Sequence, residues 1–106
     1  MIVEALEDKK GEDILILDIQ DSAPFADYFV ICSGSSRRML TALMASVKDM
    51  VKQELQVITK QEGEPGDGWL LADFGDIVLH IFSPEQRQYY QLEQLWSDGK
   101  VVLHVQ

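Results

Sequence analysis

The sequence predicts an α/β (α+β) fold in which helices flank a mixed β-sheet. Branched apolar runs about the length of buried strands alternate with segments whose apolar residues recur every three or four positions. Two of those helical segments open on capping residues. The resulting order is α-β-β-α-β-β-β-α, with room for a final strand.

Ile2, Ala5 and Leu6 are spaced for a short helix packed on one side. Ile14-Leu15-Ile16-Leu17-Asp18-Ile19 has the continuous apolar character of a strand covered on both faces. Gln20 to Asp27 contains Pro24 and reads as a loop. Tyr28-Phe29-Val30-Ile31-Cys32 is a second strand, closed by Ser33-Gly34-Ser35-Ser36.

From there to about Leu55 the period becomes helical: Met39, Leu40, Leu43, Met44, Val47, Met50, Val51 and Leu55 form one stripe, with Ser35 or Ser36 as N-cap. Gln56 to Thr59 has the character of a short strand, and Lys60 to Gly68, with three glycines and a proline, that of a mobile acidic loop. Trp69–Asp73 and Ile77–Phe82 flank a short turn and predict a β-hairpin. Ser83-Pro84-Glu85-Gln86 is a capping box with Pro at the first helical position. Tyr89, Leu92 and Trp96 line the helix that follows, Gly99 ends it, and Val101 to Val105 is the final strand.

The chain has 106 residues and weighs 12.0 kDa, which predicts one domain over 1–106. Its 46% hydrophobic and 25% charged residues are those of a globular protein. Acidic residues outnumber Lys and Arg eighteen to nine, a net charge of −9. That balance argues against non-specific nucleic-acid binding, which depends on cations against phosphates, and favours a basic partner. The excess lies late: after Lys60 there are eight acids against Arg87 and Lys100 alone. No apolar run approaches a membrane span, and the first residues resemble neither a secretory signal nor an organelle presequence, so a soluble cytoplasmic protein is expected.

Four constellations invite a chemical reading. Asp73-Phe74-Gly75 matches the magnesium-binding tripeptide of protein kinases, but the accompanying kinase motifs are missing and a hairpin turn accounts for it. Gly34-Ser35 at a strand-to-helix junction could cradle a phosphate, as in nucleotidyltransferases. Such enzymes also need two carboxylates alternating on a neighbouring strand. Gln56-Val57-Ile58-Thr59 offers none, and Asp73 and Asp76 lie across a turn. A plain helix cap is therefore the favoured reading, with a nucleotide-binding or nucleotidyltransferase enzyme as the alternative.

The single cysteine, Cys32, excludes an internal disulfide and sits in an apolar strand as a core residue; pairing with His80 or His104 has little support. His80 is either a partly exposed sheet residue or a hydrogen-bonded core histidine, and the pattern fits both. The aromatic set Trp69, Phe74, Phe82, Tyr89, Tyr90 and Trp96 falls in the acidic part of the chain. Aromatics ringed by charge suit a protein-binding patch, although hairpin-on-helix packing accounts for several.

Three blocks together carry a resemblance: Asp27-Tyr28-Phe29-Val30-Ile31-Cys32-Ser33-Gly34-Ser35-Ser36-Arg37, the segment Trp69 to Phe82, and Arg87-Gln88-Tyr89-Tyr90-Gln91-Leu92-Glu93-Gln94-Leu95-Trp96. In this order, over roughly Ala5 to Asp98, the sequence resembles the ribosomal silencing factor family, also called Iojap-like proteins. The resemblance implies a nucleotidyltransferase-like fold that has lost catalysis, with no catalytic, cofactor or metal residues. It further implies binding to protein fourteen of the large ribosomal subunit, which blocks small-subunit joining and lowers translation when nutrients are scarce. Contacts are expected from Trp69, Asp73, Phe74, Asp76, Tyr89 and Tyr90, with Glu93 and Trp96 less central; contact with ribosomal RNA would be incidental. The N-terminal helix is shorter than the family usually carries. Lys100 to Gln106 extends past the last block as an edge strand able to pair with another chain, which leaves a homodimer open.

Overall fold

The structure, a computed structural model, describes residues 2–20, 26–55, 59–90 and 100–105. In chain order the described elements are α1 (Ile2–Asp8), β1 (Glu12–Asp18), β2 (Tyr28–Ser33), α2 (Arg37–Leu55), β3 (Lys60–Glu64), a 3-10 turn (Pro65–Asp67), β4 (Trp69–Asp73), β5 (Ile77–Phe82), α3 (Pro84–Tyr90) and β6 (Lys100–Val105). The strands form one sheet in the order β3-β4-β5-β2-β1-β6. Every pairing is antiparallel except β2 with β5, whose parallel register runs from Tyr28 opposite Ile77 to Ser33 opposite Phe82. The connection between these two central strands passes through α2, β3 and β4, which places the long helix over the sheet.

Strand alternation divides the apolar residues between two faces. Ile14, Val30, Cys32, Leu70, Ala72, Leu79 and Ile81 face α1 and α2, meeting Leu6, Leu40, Leu43, Met44, Val47 and Val51. Leu15, Leu17, Phe29, Ile31, Val78 and Phe82 pack on the other face with Ile19 and Ala26. The expectation of a first strand covered on both faces is met by this split. α2 begins where Ser36 Oγ accepts the Met39 N–H at 3.1 Å; of its predicted stripe Leu40, Leu43, Met44, Val47 and Val51 are buried, Met39 and Met50 are half-buried, and the Leu55 side chain lies outside the described residues.

The hairpin forms with Trp69 opposite Phe82 and Asp73 opposite Val78. At its turn Asp73 Oδ1 accepts the Gly75 N–H at 2.8 Å, and Gly75 takes a left-handed φ of 96°. Ser83 caps α3 through the Gln86 N–H at 3.3 Å, while its own N–H donates to the Gly68 carbonyl at 2.8 Å. A tertiary bond therefore takes the donor that the reciprocal arm of a capping box would use.

One expectation is overturned. Lys60 to Gly68 is not a loop: Lys60–Glu64 is an edge strand paired along β4, followed by the 3-10 turn. All five residues of β3 are exposed, so no apolar alternation announces it. Pairing with β4 overrides the weak strand preference of Lys, Gln, Glu and Gly. Of the strand expected over Gln56–Thr59, residues 56–58 lie outside the described residues and Thr59 is not in a strand. The predicted Leu92, Trp96 and Gly99, and Glu93, also lie outside them. β6 forms as expected and pairs antiparallel with β1 at the end of the sheet opposite β3. No described helix is long and apolar enough to cross a membrane.

Candidate protein-docking face

Cross-strand register determines which side chains share a surface. On β4, Trp69, Leu71 and Asp73 alternate onto one face, directly opposite Glu64, Glu62 and Lys60 of β3. The result is a strip with half-buried Trp69 and Leu71 along its middle and exposed carboxylates beside them. Asp67 from the 3-10 turn and Gln86 from α3 complete a cleft of about 650 Å³ with Glu62, Trp69 and Leu71. The cleft offers two carboxylates and an aromatic face, which suits an inserted basic side chain.

Glycines make this geometry available. Gly63 has φ 93°, and a Cβ there would stand 2.2 Å from the Trp69 carbonyl oxygen. Only a residue without a side chain lets β3 approach β4 so closely. Gly68 turns the chain from the 3-10 segment into β4 with φ 75°, its N–H donating to the Pro65 carbonyl at 3.1 Å.

Trp69 is held by an aromatic cluster. Its ring stacks on Phe82 with centroids 5.1 Å apart, and its indole Nε1–H donates to His80 Nδ1 at 3.2 Å. The His80 ring meets the Phe29 ring edge-on at 4.8 Å and lies parallel to Phe82 at 6.0 Å. His80 is 4% exposed, and burial pushes its pKa down from 6.5 to about 4. Of the two readings open in the sequence, His80 is the hydrogen-bonded core histidine.

The expected contact residues do not gather at one point. Trp69 and Asp73 share a face but stand at opposite ends of β4, about 13 Å apart at ~3.3 Å per residue. Asp73 caps the hairpin turn, Phe74 is half-buried against the α2-side core, and the Asp76 carbonyl accepts the Asp27 and Tyr28 N–H groups at 2.7 and 3.1 Å. Tyr89 and Tyr90 close the described part of α3; their side chains lie outside the described residues. Sequence reasoning missed Glu62, Glu64, Asp67, Leu71 and Gln86. The available signal was the i, i+2, i+4 spacing of Lys60, Glu62 and Glu64, a strand period hidden among loop-forming residues.

Charge on this side is less balanced than composition implies. Arg87 is 7% exposed and turned inward, donating to Ser33 Oγ at 2.9 Å and to the Asp13 carbonyl, with Asp13 Oδ2 at 3.5 Å. One of the few cations after Lys60 thus fastens α3 to β1 and β2 and does not neutralise the surface.

The Gly34-Ser35 turn uses its amides internally. The Gly34 N–H donates to the Phe82 carbonyl at 2.9 Å, and the Ser35 N–H points at the Met39 sulfur at 3.3 Å. Among the described residues no group of three or more His, Cys, Asp or Glu is placed to hold a metal ion. Cys32 is a buried free thiol pushed up to about 12, chiefly by burial, with the Arg87 charge opposing.

A family model described as ribosomal silencing factor during starvation matches residues 1–106. The ribosomal silencing factor of Bacillus subtilis is 42% identical over 95 residues, covering 90% of this chain and 80% of its own length. The mouse protein named mitochondrial assembly of ribosomal large subunit protein 1 is 37% identical over 100 residues, covering 92% of this chain and 44% of itself. The crystal structure of a Chromobacterium violaceum protein superposes with a TM-score of 0.86 at 37% identity, covering 92% of this chain and 81% of that one.

Proposed function

Because the chain belongs to the ribosomal silencing factor family, we propose that it represses translation by docking on protein fourteen of the large ribosomal subunit and sterically blocking the small subunit. Repression would operate in the cytoplasm under nutrient limitation. The mouse relative's name ties that protein to assembly of the large subunit, which supports the choice of subunit. The observation that carries the reading is the β3–β4 strip, where Trp69 and Leu71 lie between Glu62, Glu64 and Asp67. An aromatic anchor rimmed by carboxylates suits a basic ribosomal protein: charge speeds the encounter and the anchor slows release.

In this reading Trp69 is the central contact and Asp73 extends the same face. Phe74 and Asp76 at the hairpin turn, and Tyr89 and Tyr90 at the end of α3, flank it. Repression by exclusion asks nothing of the chain beyond occupying a surface, in keeping with relatives named as silencing factors rather than enzymes.

Co-sedimentation with separated ribosomal subunits tests the proposal. The expected result is binding to large subunits alone, reduced joining of small subunits, and loss of both with Trp69→Ala in a domain that is destabilised but still folded at the assay temperature. Free protein at every salt concentration would overturn it, and saturable binding of ATP with magnesium would then favour the enzyme reading.

A further inference from the structure

His80 is buried beneath the docking strip. It stands on β5 opposite Leu71 and beside Ile31 of β2, among Phe29, Trp69 and Phe82. Its Nδ1 accepts the Trp69 indole N–H, whereas its buried Nε2 has no partner among the described residues. As an acceptor at Nδ1, the neutral ring carries its proton on that unpartnered nitrogen. An unsatisfied buried N–H costs stability, and a leucine would fill much of the space without that cost. Core packing among the described residues therefore does not account for a histidine here. The hydrogen bond it makes runs to the aromatic side chain that reaches the surface.

We infer that His80 is a positioning residue for partner binding, holding the Trp69 indole against Phe82 so that its outer face and edge meet the partner in one orientation. The inference rests on the proposed docking role of Trp69. Without the bond the indole keeps its stacking on Phe82 but loses the contact that fixes its edge, and binding must then narrow a wider range of ring orientations at a cost in affinity. The effect belongs to Trp69, so it must vanish when Trp69 is absent.

The test compares wild type, Trp69→Ala, His80→Leu, His80→Asn, His80→Gln and the Trp69→Ala/His80→Leu double variant, by affinity for purified large subunits and by the indole N–H resonances of the free protein. The amide oxygen of Asn can stand near the Nδ1 position, whereas that of Gln reaches beyond it. His80→Leu should shift the Trp69 indole resonance, speed its exchange and weaken binding about 3- to 10-fold without lowering the melting temperature. Asn should restore affinity better than Gln, and His80→Leu should add nothing to Trp69→Ala. Weak binding by Trp69→Ala with wild-type affinity for His80→Leu, or equal affinity for Asn and Gln, overturns the positioning role alone. Wild-type affinity for Trp69→Ala overturns the docking reading itself, and this inference with it.

Discussion

At the scale of single residues, burial decides the chemistry of His80 and Cys32. His80 has a native pKa of about 4 against an ordinary 6.5. Between those values the unfolded chain binds more protons than the native one, so stability rises with pH. The contribution is fully present above about pH 6.5 and lost as pH falls toward about 4. It amounts to about 3 kcal/mol at most across that window. Urea unfolding at pH 7.5 and 5.0 should show the fall, and His80→Leu should flatten it by that component. Cys32, its thiol pushed up to about 12, is expected to react with a thiol reagent at neutral pH only on unfolding. Labelling rates that follow global unfolding across a urea series would establish this, whereas rapid labelling of the native protein would contradict it.

At the scale of elements, the edge strand β3 determines whether the docking strip exists. It is held by backbone pairing with β4 and by the Lys48 ammonium of α2, which donates to Gln61 Oε1 at 2.8 Å, while all five of its residues are exposed. Gly63 is the vulnerable point, since its φ is left-handed and a Cβ would meet the Trp69 carbonyl. Gly63→Ala is expected to destabilise the domain by about 1–3 kcal/mol through backbone strain, with the clash added. Hydrogen exchange should rise along Lys60–Glu64 before it rises in β2 or β5, and ribosome affinity should fall with it. Uniform exchange across the sheet would show that the edge does not open separately. The helices, by contrast, were legible in the sequence. α2 is announced by its Ser cap and its apolar stripe, and α3 by Ser83 and Pro84. Loss of a cap such as Ser36 would act on the first turn of α2.

At the scale of the whole molecule, the net charge of −9 would steer the protein toward the basic partner proposed for it. Arg87, turned inward, does not neutralise Glu62 and Glu64; Lys60 stands at the far end of the strip and the Arg37 guanidinium lies beside Gly66 at the cleft. Association with a basic surface should therefore slow as salt rises. Glu62→Lys is expected to lower the association rate a few-fold at low salt, leave dissociation little changed and reduce the salt slope. Stopped-flow association with large subunits at several salt concentrations would measure this. An unchanged rate would place the contact surface elsewhere.

Sequence alone determined what depends on local pattern. Apolar runs, helical spacing and capping residues specified β1, β2, the β4–β5 hairpin, α2 and the start of α3, since each such signal is created by burial or by a helix end. The acidic, aromatic character of the later chain was legible too, and so was the burial of Cys32. Tertiary structure decided what depends on register between distant segments. β3 is a strand because β4 pairs with it, and no inward face of its own marks it. Glu62, Asp67 and Gln86 converge on Trp69 from three elements. His80 and Arg87 became interior groups because particular partners, the Trp69 indole and the Asp13–Ser33 pair, were carried to them by the sheet and by α3. A one-dimensional pattern reports how each segment meets solvent, and only packing reports which segments meet each other.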